Sequence, residues 1–168
     1  ALSLVAQTNF RDITYKEALA AAKAEKKLVF IDFYTSWCGP CKMMMKNIFP
    51  LKEVGNYLNS KFVCIKIDAE KGEGPELAKR YQVKAYPTFV AINPAEEILM
   101  TKVGGSGSGS GFIGSIDRLI DPDKTPERMK QRYESGERTA DLISAYAGLK
   151  MEEVYKNRQP DMTKKDEA

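Results

Sequence analysis

An apolar run leads directly into two closely spaced cysteines in Leu28-Val29-Phe30-Ile31-Asp32-Phe33-Tyr34-Thr35-Ser36-Trp37-Cys38-Gly39-Pro40-Cys41, and this pattern is the strongest indication of the fold. Its first half predicts a buried strand, and the residues after Cys38 predict a helix with Pro40 in the first turn. Two cysteines separated by two residues at the start of a helix can close a small disulfide ring, and the helix N-terminus stabilises a thiolate on the first. Cys38 is therefore the predicted nucleophile of a redox pair.

Composition narrows the function further. The 168 residues can bury one main core with a small extension. The net charge of +3 is small, and the Lys and Arg residues are spread along the chain, so we expect no nucleic-acid partner. The absence of histidine excludes Cys-His and Ser-His-Asp catalysis and every metal site built on imidazole. Three cysteines are too few for a disulfide-bridged scaffold.

The N-terminus bears on the cellular location. Residues 1–7 have the apolar character of the trailing end of a secretory signal, but they lack a basic region and a full apolar core. A disordered terminus explains them equally well, and we assign residues 1–9 to a disordered N-terminal segment. The expectation is an exported, periplasmic protein, with a cytoplasmic one as the alternative. No apolar run approaches the roughly 20 residues of a membrane helix, so no membrane span is expected.

Hydrophobic periodicity predicts an α/β domain that ends at Asp121. Helices are predicted at 15–26, 42–48, 52–58, 75–81 and 112–120, and strands at 28–34, 62–68, 88–92 and 98–103. Strands that alternate with helices imply parallel pairing early in the chain, and Asn93-Pro94 marks a turn into an antiparallel pair later.

Two segments stand apart from this pattern. The Gly/Ser run at 104–111 has no side chain to pack, so it predicts a flexible loop. Residues 122–168 predict a helical extension with a disordered tail: one helix begins at Thr125-Pro126-Glu127, and Gly136 separates it from a second helix at 139–155. Such a pair of helices could recruit a partner.

Three features at consistent positions resemble the thioredoxin family: the Cys38–Cys41 motif, Asp32 six residues before Cys38, and Tyr86-Pro87-Thr88 at the entry to the next central strand. The resemblance covers residues 10–121 and implies a thioredoxin-like fold, with a central mixed sheet flanked by helices. The run at 33–44 is especially similar to bacterial thioredoxin-like disulfide reductases or isomerases, many of them exported.

The resemblance assigns a role to each partner in the exchange. Cys38 would attack a substrate disulfide and form a mixed disulfide, and Cys41, one turn into the helix and more buried, would resolve it. The reverse sequence oxidises a dithiol. Asp32 would lie behind the cysteines and act through water as general base for Cys41, and burial would raise its pKa for that role. The alternative is an exposed aspartate at a strand end.

Gly39 and Pro40 are predicted to shape the active site. They set the geometry between the sulfurs, because glycine permits a tight turn and proline restricts the backbone. A Gly-Pro insert resembles the reducing members of the family.

The resemblance also identifies substrate-binding residues beside the cysteines. Pro87 matches a cis-proline that leaves the Tyr86 backbone free to pair with an extended substrate, and Thr88 follows it; the alternative is a trans-proline at a strand edge. Trp37 and Tyr86 would supply apolar surface around the exposed sulfur of Cys38, and Gly104 matches a glycine beside the substrate groove. Trp37 could instead serve packing alone, and Gly104 could simply open the loop.

Cys64 departs from the family pattern, because many thioredoxins have a lysine there, near the buried aspartate. Without that cation nothing charged would offset Asp32, so its pKa could rise further and its function as a base weaken. Cys64 itself is predicted to be an inert buried thiol.

The predicted function is that of a thiol-disulfide oxidoreductase that exchanges the Cys38–Cys41 pair with protein disulfide or dithiol substrates, in the reducing direction, and is regenerated by an upstream thiol reductant. No cofactor other than this disulfide is expected, and no metal, because the pair lacks a second pair of ligands. The alternatives are a disulfide isomerase or oxidase, and a thioredoxin-like binding module whose helical extension recruits a partner.

Overall fold

The structure is a computed structural model that describes residues 7–121, 123 and 126–158. Its contacts divide the chain into two compact units between Ile120 and Asp121. In the described part of the chain, no helix is long and apolar enough to cross a membrane. Residues 1–6 of the predicted disordered segment and residues 159–168 of the extension lie outside the described residues.

A four-stranded sheet in the order β2-β1-β3-β4 lies at the centre of the first unit. Its strands are β1 (Leu28–Tyr34), β2 (Phe62–Asp68), β3 (Thr88–Ile92) and β4 (Ile98–Val103). β1 runs parallel to β2 and antiparallel to β3, and β4 runs antiparallel to β3. The predicted mixed sheet is confirmed, and β1, which leads to the cysteines, has a partner on both sides.

Helices cover both faces of this sheet. They are α1 (Tyr15–Glu25), α2 (Gly39–Asn47), α3 (Lys52–Lys61), α4 (Gly74–Arg80) and α5 (Gly109–Ile120). Because side chains alternate along a strand, Ile31 packs in one core cluster with α1 and α4, and Phe30 packs in the other with α2, α3 and α5. The ring of Phe30 stacks on Phe89 with centroids 5.6 Å apart, in an aromatic layer on the α2 face of the sheet.

The first helix follows its local sequence signals. The Thr14 hydroxyl accepts the Glu17 N–H at the start of α1, and the Glu17 carboxylate accepts the Thr14 N–H in return, so the two residues form a capping box. Lys26 ends the helix in the left-handed conformation, with φ 54°.

The predictions of a flexible loop at 104–111 and of a disordered segment at 1–9 are both wrong in part. α5 begins at Gly109, inside the predicted Gly/Ser loop, because Gly109 is buried so closely against α3 that a Cβ would lie 3.1 Å from Val54. Residues 7–9, assigned to the disordered segment, are placed against the core. The Thr8 N–H donates to the Phe49 carbonyl at 2.9 Å, and the Asn9 N–H donates to the Asn59 side chain at 2.9 Å.

The second unit has a small core of its own. Its helices are α6 (Pro126–Glu134) and α7 (Ala140–Arg158), in agreement with the two helices predicted from the sequence. Met129 of α6 packs with Leu142 and Leu149 of α7. Tyr133 stacks on Tyr146 with ring centroids 4.7 Å apart, which joins the two helices further.

Gly74 tests the connection between β2 and α4. A Cβ on Gly74 would lie 1.8 Å from the carbonyl oxygen of Asp68, so the backbone must move to accommodate any side chain. We expect Gly74→Ala to lower the free energy of unfolding in a urea titration by more than about 2 kcal/mol. Gly107→Ala is the matched control, because nothing lies within 4 Å of its Cβ position. Equal stability of the two variants would contradict the packing described.

Candidate active site

Cys38 and Cys41 form a disulfide at the N-terminus of α2, with the sulfurs 2.01 Å and the Cα atoms 5.3 Å apart. Cys38 is the N-cap residue, and its Sγ accepts the Cys41 N–H at 3.1 Å. The Cys38 N–H donates in turn to the Thr35 carbonyl at 3.2 Å, which holds the connection between β1 and α2. An N–H donor and a helix N-terminus both favour negative charge on the Cys38 sulfur when the pair is reduced.

The predicted difference in exposure between the two cysteines is wrong for the disulfide. Cys38 and Cys41 each expose 3% of their surface. The two sulfurs are bonded to each other, and Cys38 Sγ also accepts the Cys41 N–H in the first turn of α2. The two residues are therefore buried together. Trp37, the adjacent residue, is 64% exposed, so solvent-facing surface begins next to the buried sulfurs.

Asp32 is buried in the middle of β1 with 1% of its surface exposed, so the alternative of an exposed aspartate is wrong. Its Oδ1 has no hydrogen-bond partner among the residues described. Burial raises the pKa of Asp32 to about 7, because the charged form loses its hydration, and the positive charge of Lys66 opposes this rise. The carboxyl group can therefore gain or lose a proton near neutral pH.

The expectation that no cation offsets Asp32 is wrong. Parallel pairing places Lys66 of β2 opposite Asp32 and pairs Cys64 with Phe30 instead. Lys66 therefore provides, near Asp32, the positive charge that the family resemblance would place at residue 64. Cys64 is 1% exposed, and burial raises the pKa of its thiol to about 12, as expected of an inert thiol.

A cavity of about 470 Å³ connects Asp32 with Cys41. It is lined by residues of β1, β2 and α2 and of the connection between β1 and α2: Asp32, Tyr34, Thr35, Ser36, Cys41, Lys42, Met45, Lys46 and Lys66. Because the cavity has room for water, a proton can pass between the carboxylate and the resolving sulfur without direct contact.

The Tyr86–Pro87 peptide bond is cis, as the resemblance predicted, so the alternative of a trans-proline is wrong. The Pro87 carbonyl accepts the Gly104 N–H at 2.8 Å, which joins the two predicted substrate-binding positions. Gly104 adopts a φ of 85°, which favours glycine. Thr88 is buried, and its hydroxyl donates to the Ala85 carbonyl at 2.7 Å, so it holds this turn from inside.

Trp37 and Tyr86 form a partly exposed aromatic edge near the cysteines. Their rings meet edge to face, with centroids 5.9 Å apart. The Trp37 indole N–H donates to the Glu70 carboxylate at 3.0 Å, which fixes the ring from the loop after β2. Both rings therefore offer apolar surface in a defined orientation.

The sequence model of the family described as Thioredoxin matches residues 6–117, two thirds of the chain. The chain belongs to the thioredoxin family. Proteins of this family use a disulfide of their own as the redox group and need no cofactor, and this chain carries the Cys38–Cys41 disulfide. In the part of the chain described, no group of three His, Cys, Asp or Glu side chains could hold a metal ion.

Two curated relatives illustrate the family membership. Thioredoxin-1 of Drosophila melanogaster is 46% identical over 69 residues, which cover 41% of this chain and 60% of that protein. The thiol:disulfide interchange protein DsbD 2 of Pseudomonas aeruginosa is 34% identical over 97 residues, or 56% of this chain and 16% of that protein. The chain thus spans less than two thirds of the length of each.

A solved structure extends the similarity over a whole domain. A candidate disulphide-isomerase from Bacteroides thetaiotaomicron superposes with a TM-score of 0.63 at 39% identity. The match covers 71% of this chain and 98% of that one.

Three residues of this thioredoxin-family site were missed by the sequence analysis. Lys66 could have been found from the sequence, since aligning the two predicted strands in parallel register places it opposite Asp32. Nothing in the sequence pointed to Thr35 or Glu70. The cavity that Thr35 lines and the hydrogen bond between Glu70 and Trp37 form only where separate elements meet.

Asp32 should impose a pH dependence on stability. Its pKa is about 7 in the folded protein against 3.8 ordinarily, so the folded state binds the extra proton between these values and stability falls as the pH rises from about 4 to about 7. We expect Asp32→Asn to raise the free energy of unfolding at pH 8 by roughly 4 kcal/mol and to have little effect at pH 4. Urea titrations at both pH values measure this.

The exposed Asp12 provides the control, because Asp12→Asn removes a carboxylate without touching the core. A gain from Asp32→Asn that is equal at both pH values would contradict a carboxyl group whose pKa is raised by burial.

Proposed function

We propose that the protein reduces disulfides of protein substrates, with Cys38 as the attacking residue and Cys41 as the resolving one. The observation that carries this proposal is the Cys38–Cys41 pair at the start of α2, with a cavity that leads from Cys41 to Asp32. The nucleophile has helix N–H groups to stabilise its charge, and the second cysteine has a base within reach of a bridging water.

The exchange proceeds in two steps. The Cys38 thiolate attacks one sulfur of the substrate disulfide, and the other substrate sulfur leaves as a thiolate with the electron pair. Cys41 then loses its proton to Asp32 through water and attacks the Cys38 sulfur. The bond between Cys38 and the substrate breaks, the second substrate thiolate leaves, and the protein holds the Cys38–Cys41 disulfide. The substrate gains two electrons and the cysteine pair loses them.

Two features support the reducing direction. Gly39 and Pro40 form the insert that resembles reducing members of the family. Asp32, with a pKa of about 7, is about half ionised at neutral pH, so its carboxylate can accept the Cys41 proton in the step that forms the Cys38–Cys41 disulfide. Reduction also requires an upstream thiol reductant, which would attack the Cys38–Cys41 disulfide and return electrons to it.

The substrate would lie across the edge formed by Trp37, Tyr86 and Gly104. Among the described residues, no backbone hydrogen bond engages the Tyr86 N–H or carbonyl, so both groups are available to an extended peptide. The aromatic pair would pack against apolar side chains next to the substrate cysteine.

The cellular location and the role of α6 and α7 are further proposals. An exported, periplasmic location is supported by the similarity of residues 33–44 to exported bacterial proteins, and fractionation of cells that produce the chain tests it. Recruitment of a partner by the two helices stays a prediction.

Disulfide isomerase activity is the second candidate, because the Bacteroides thetaiotaomicron chain that matches over 98% of its length is described as a candidate disulphide-isomerase. The reduction potential of the Cys38–Cys41 pair separates the two functions. A value near about −270 mV supports a reductase, and a value near about −180 mV supports an isomerase.

Insulin reduction with dithiothreitol tests the proposed activity directly. We expect the purified chain to accelerate precipitation of the insulin B chain, and Cys38→Ser to abolish the acceleration, because no other thiolate lies at the helix N-terminus of this site. Cys64→Ser is the matched control and should leave the rate unchanged, since Cys64 is buried away from the pair. A wild-type rate no higher than that of Cys38→Ser would contradict the proposal and favour a binding module.

A further inference from the structure

Thr35 carries a buried hydroxyl for which the fold provides no partner. The residue is 2% exposed, and among the residues described its Oγ1 makes no hydrogen bond. Burying a hydroxyl without a partner is unfavourable, so such a group in a native site calls for an explanation. Its carbonyl is engaged, since it accepts the Cys38 N–H.

The location of this hydroxyl supplies the explanation. Only three side chains in the described residues have a buried oxygen without a partner, those of Thr8, Asp32 and Thr35, and two of these residues, Asp32 and Thr35, line the cavity that reaches Cys41. At about 470 Å³ the cavity is far larger than the roughly 30 Å³ that one water occupies, and it offers polar partners. A hydroxyl can donate one hydrogen bond and accept others, so it can orient a water that also contacts a carboxylate.

We propose that Thr35 is a positioning residue whose hydroxyl, together with Asp32, holds the water that transfers the proton between Asp32 and the Cys41 sulfur. The inference rests on the proposed function of Asp32 as the base for Cys41. During resolution, the Cys41 thiol gives its proton to this water as the water gives one to Asp32. The Cys41 thiolate then forms the bond to Cys38, and the substrate thiolate leaves. The hydroxyl fixes the water but is itself unchanged.

The other groups that face the cavity set the background for its pH dependence. The titratable and charged side chains are Asp32 and Tyr34 of β1, Cys41, Lys42 and Lys46 of α2, and Lys66 of β2. Thr35 has no charge, so its replacement leaves this set intact. A change in the pH profile of the Thr35 variant would therefore reflect a displaced water and not a lost charge.

Reduced full-length protein mixed with excess 5,5′-dithiobis(2-nitrobenzoate) in a stopped-flow instrument tests the inference. Cys38 attack releases the first thionitrobenzoate and Cys41 resolution releases the second, so the two steps are observed separately. We expect Thr35→Val to slow the second phase by about tenfold and to shift its pH profile, with the first phase unchanged. Thr35→Ser, which keeps the hydroxyl, should stay within about twofold of wild type.

Thr8→Val is the matched control, because it removes another buried, unpartnered hydroxyl that lies outside the cavity, and it should change neither phase. An unchanged second phase in Thr35→Val overturns the inference, and so does equal slowing by Thr35→Val and Thr35→Ser, which would mean that Thr35 only packs.

Asp32→Asn separates the two possible failures. If Asp32→Asn slows the second phase but Thr35→Val does not, the inference about Thr35 fails alone. If Asp32→Asn leaves the second phase unchanged, the proposed function of Asp32 fails and the inference fails with it.

Discussion

The short connection from Thr35 to Cys38 is the constraint on which the site depends. It joins the end of a central strand to the start of α2, and the Cys38 N–H bonds to the Thr35 carbonyl within it. The turn therefore places Cys38 at the helix N-cap, where its sulfur accepts the Cys41 N–H. The same turn brings Cys41 to the cavity that Asp32 also lines, so the redox pair and the proposed proton acceptor share one cavity.

Asp32 combines two opposing effects on one carboxyl group. The sheet and α2 remove it from water, which raises its pKa, while Lys66 on the neighbouring strand lowers it. The balance leaves the group able to change protonation near neutral pH, at a cost in stability when it is charged. A salt-bridged surface aspartate would stay ionised there and could not accept a proton from a thiol.

The C-terminal helices show that the chain carries more than the redox domain. α6 and α7 bury Met129, Leu142 and Leu149 between them and need no residue of the sheet to do so. The second unit is therefore compact in its own right, and the family resemblance ends before it begins.

The strands, most helices and the redox pair could be predicted from the sequence, because each depends on local signals: apolar runs, a cap such as Thr14, and two cysteines one turn apart. The predictions that were wrong concern places where segments distant in the chain meet. The burial of Gly109 against α3, the contact of Thr8 with Phe49, the pairing of Lys66 with Asp32 and the shared cover of the two cysteines all depend on tertiary packing. Strand register and burial depend on which segments folding brings together, so the pKa of Asp32 and the cavity that links it to Cys41 could be found only from the folded structure.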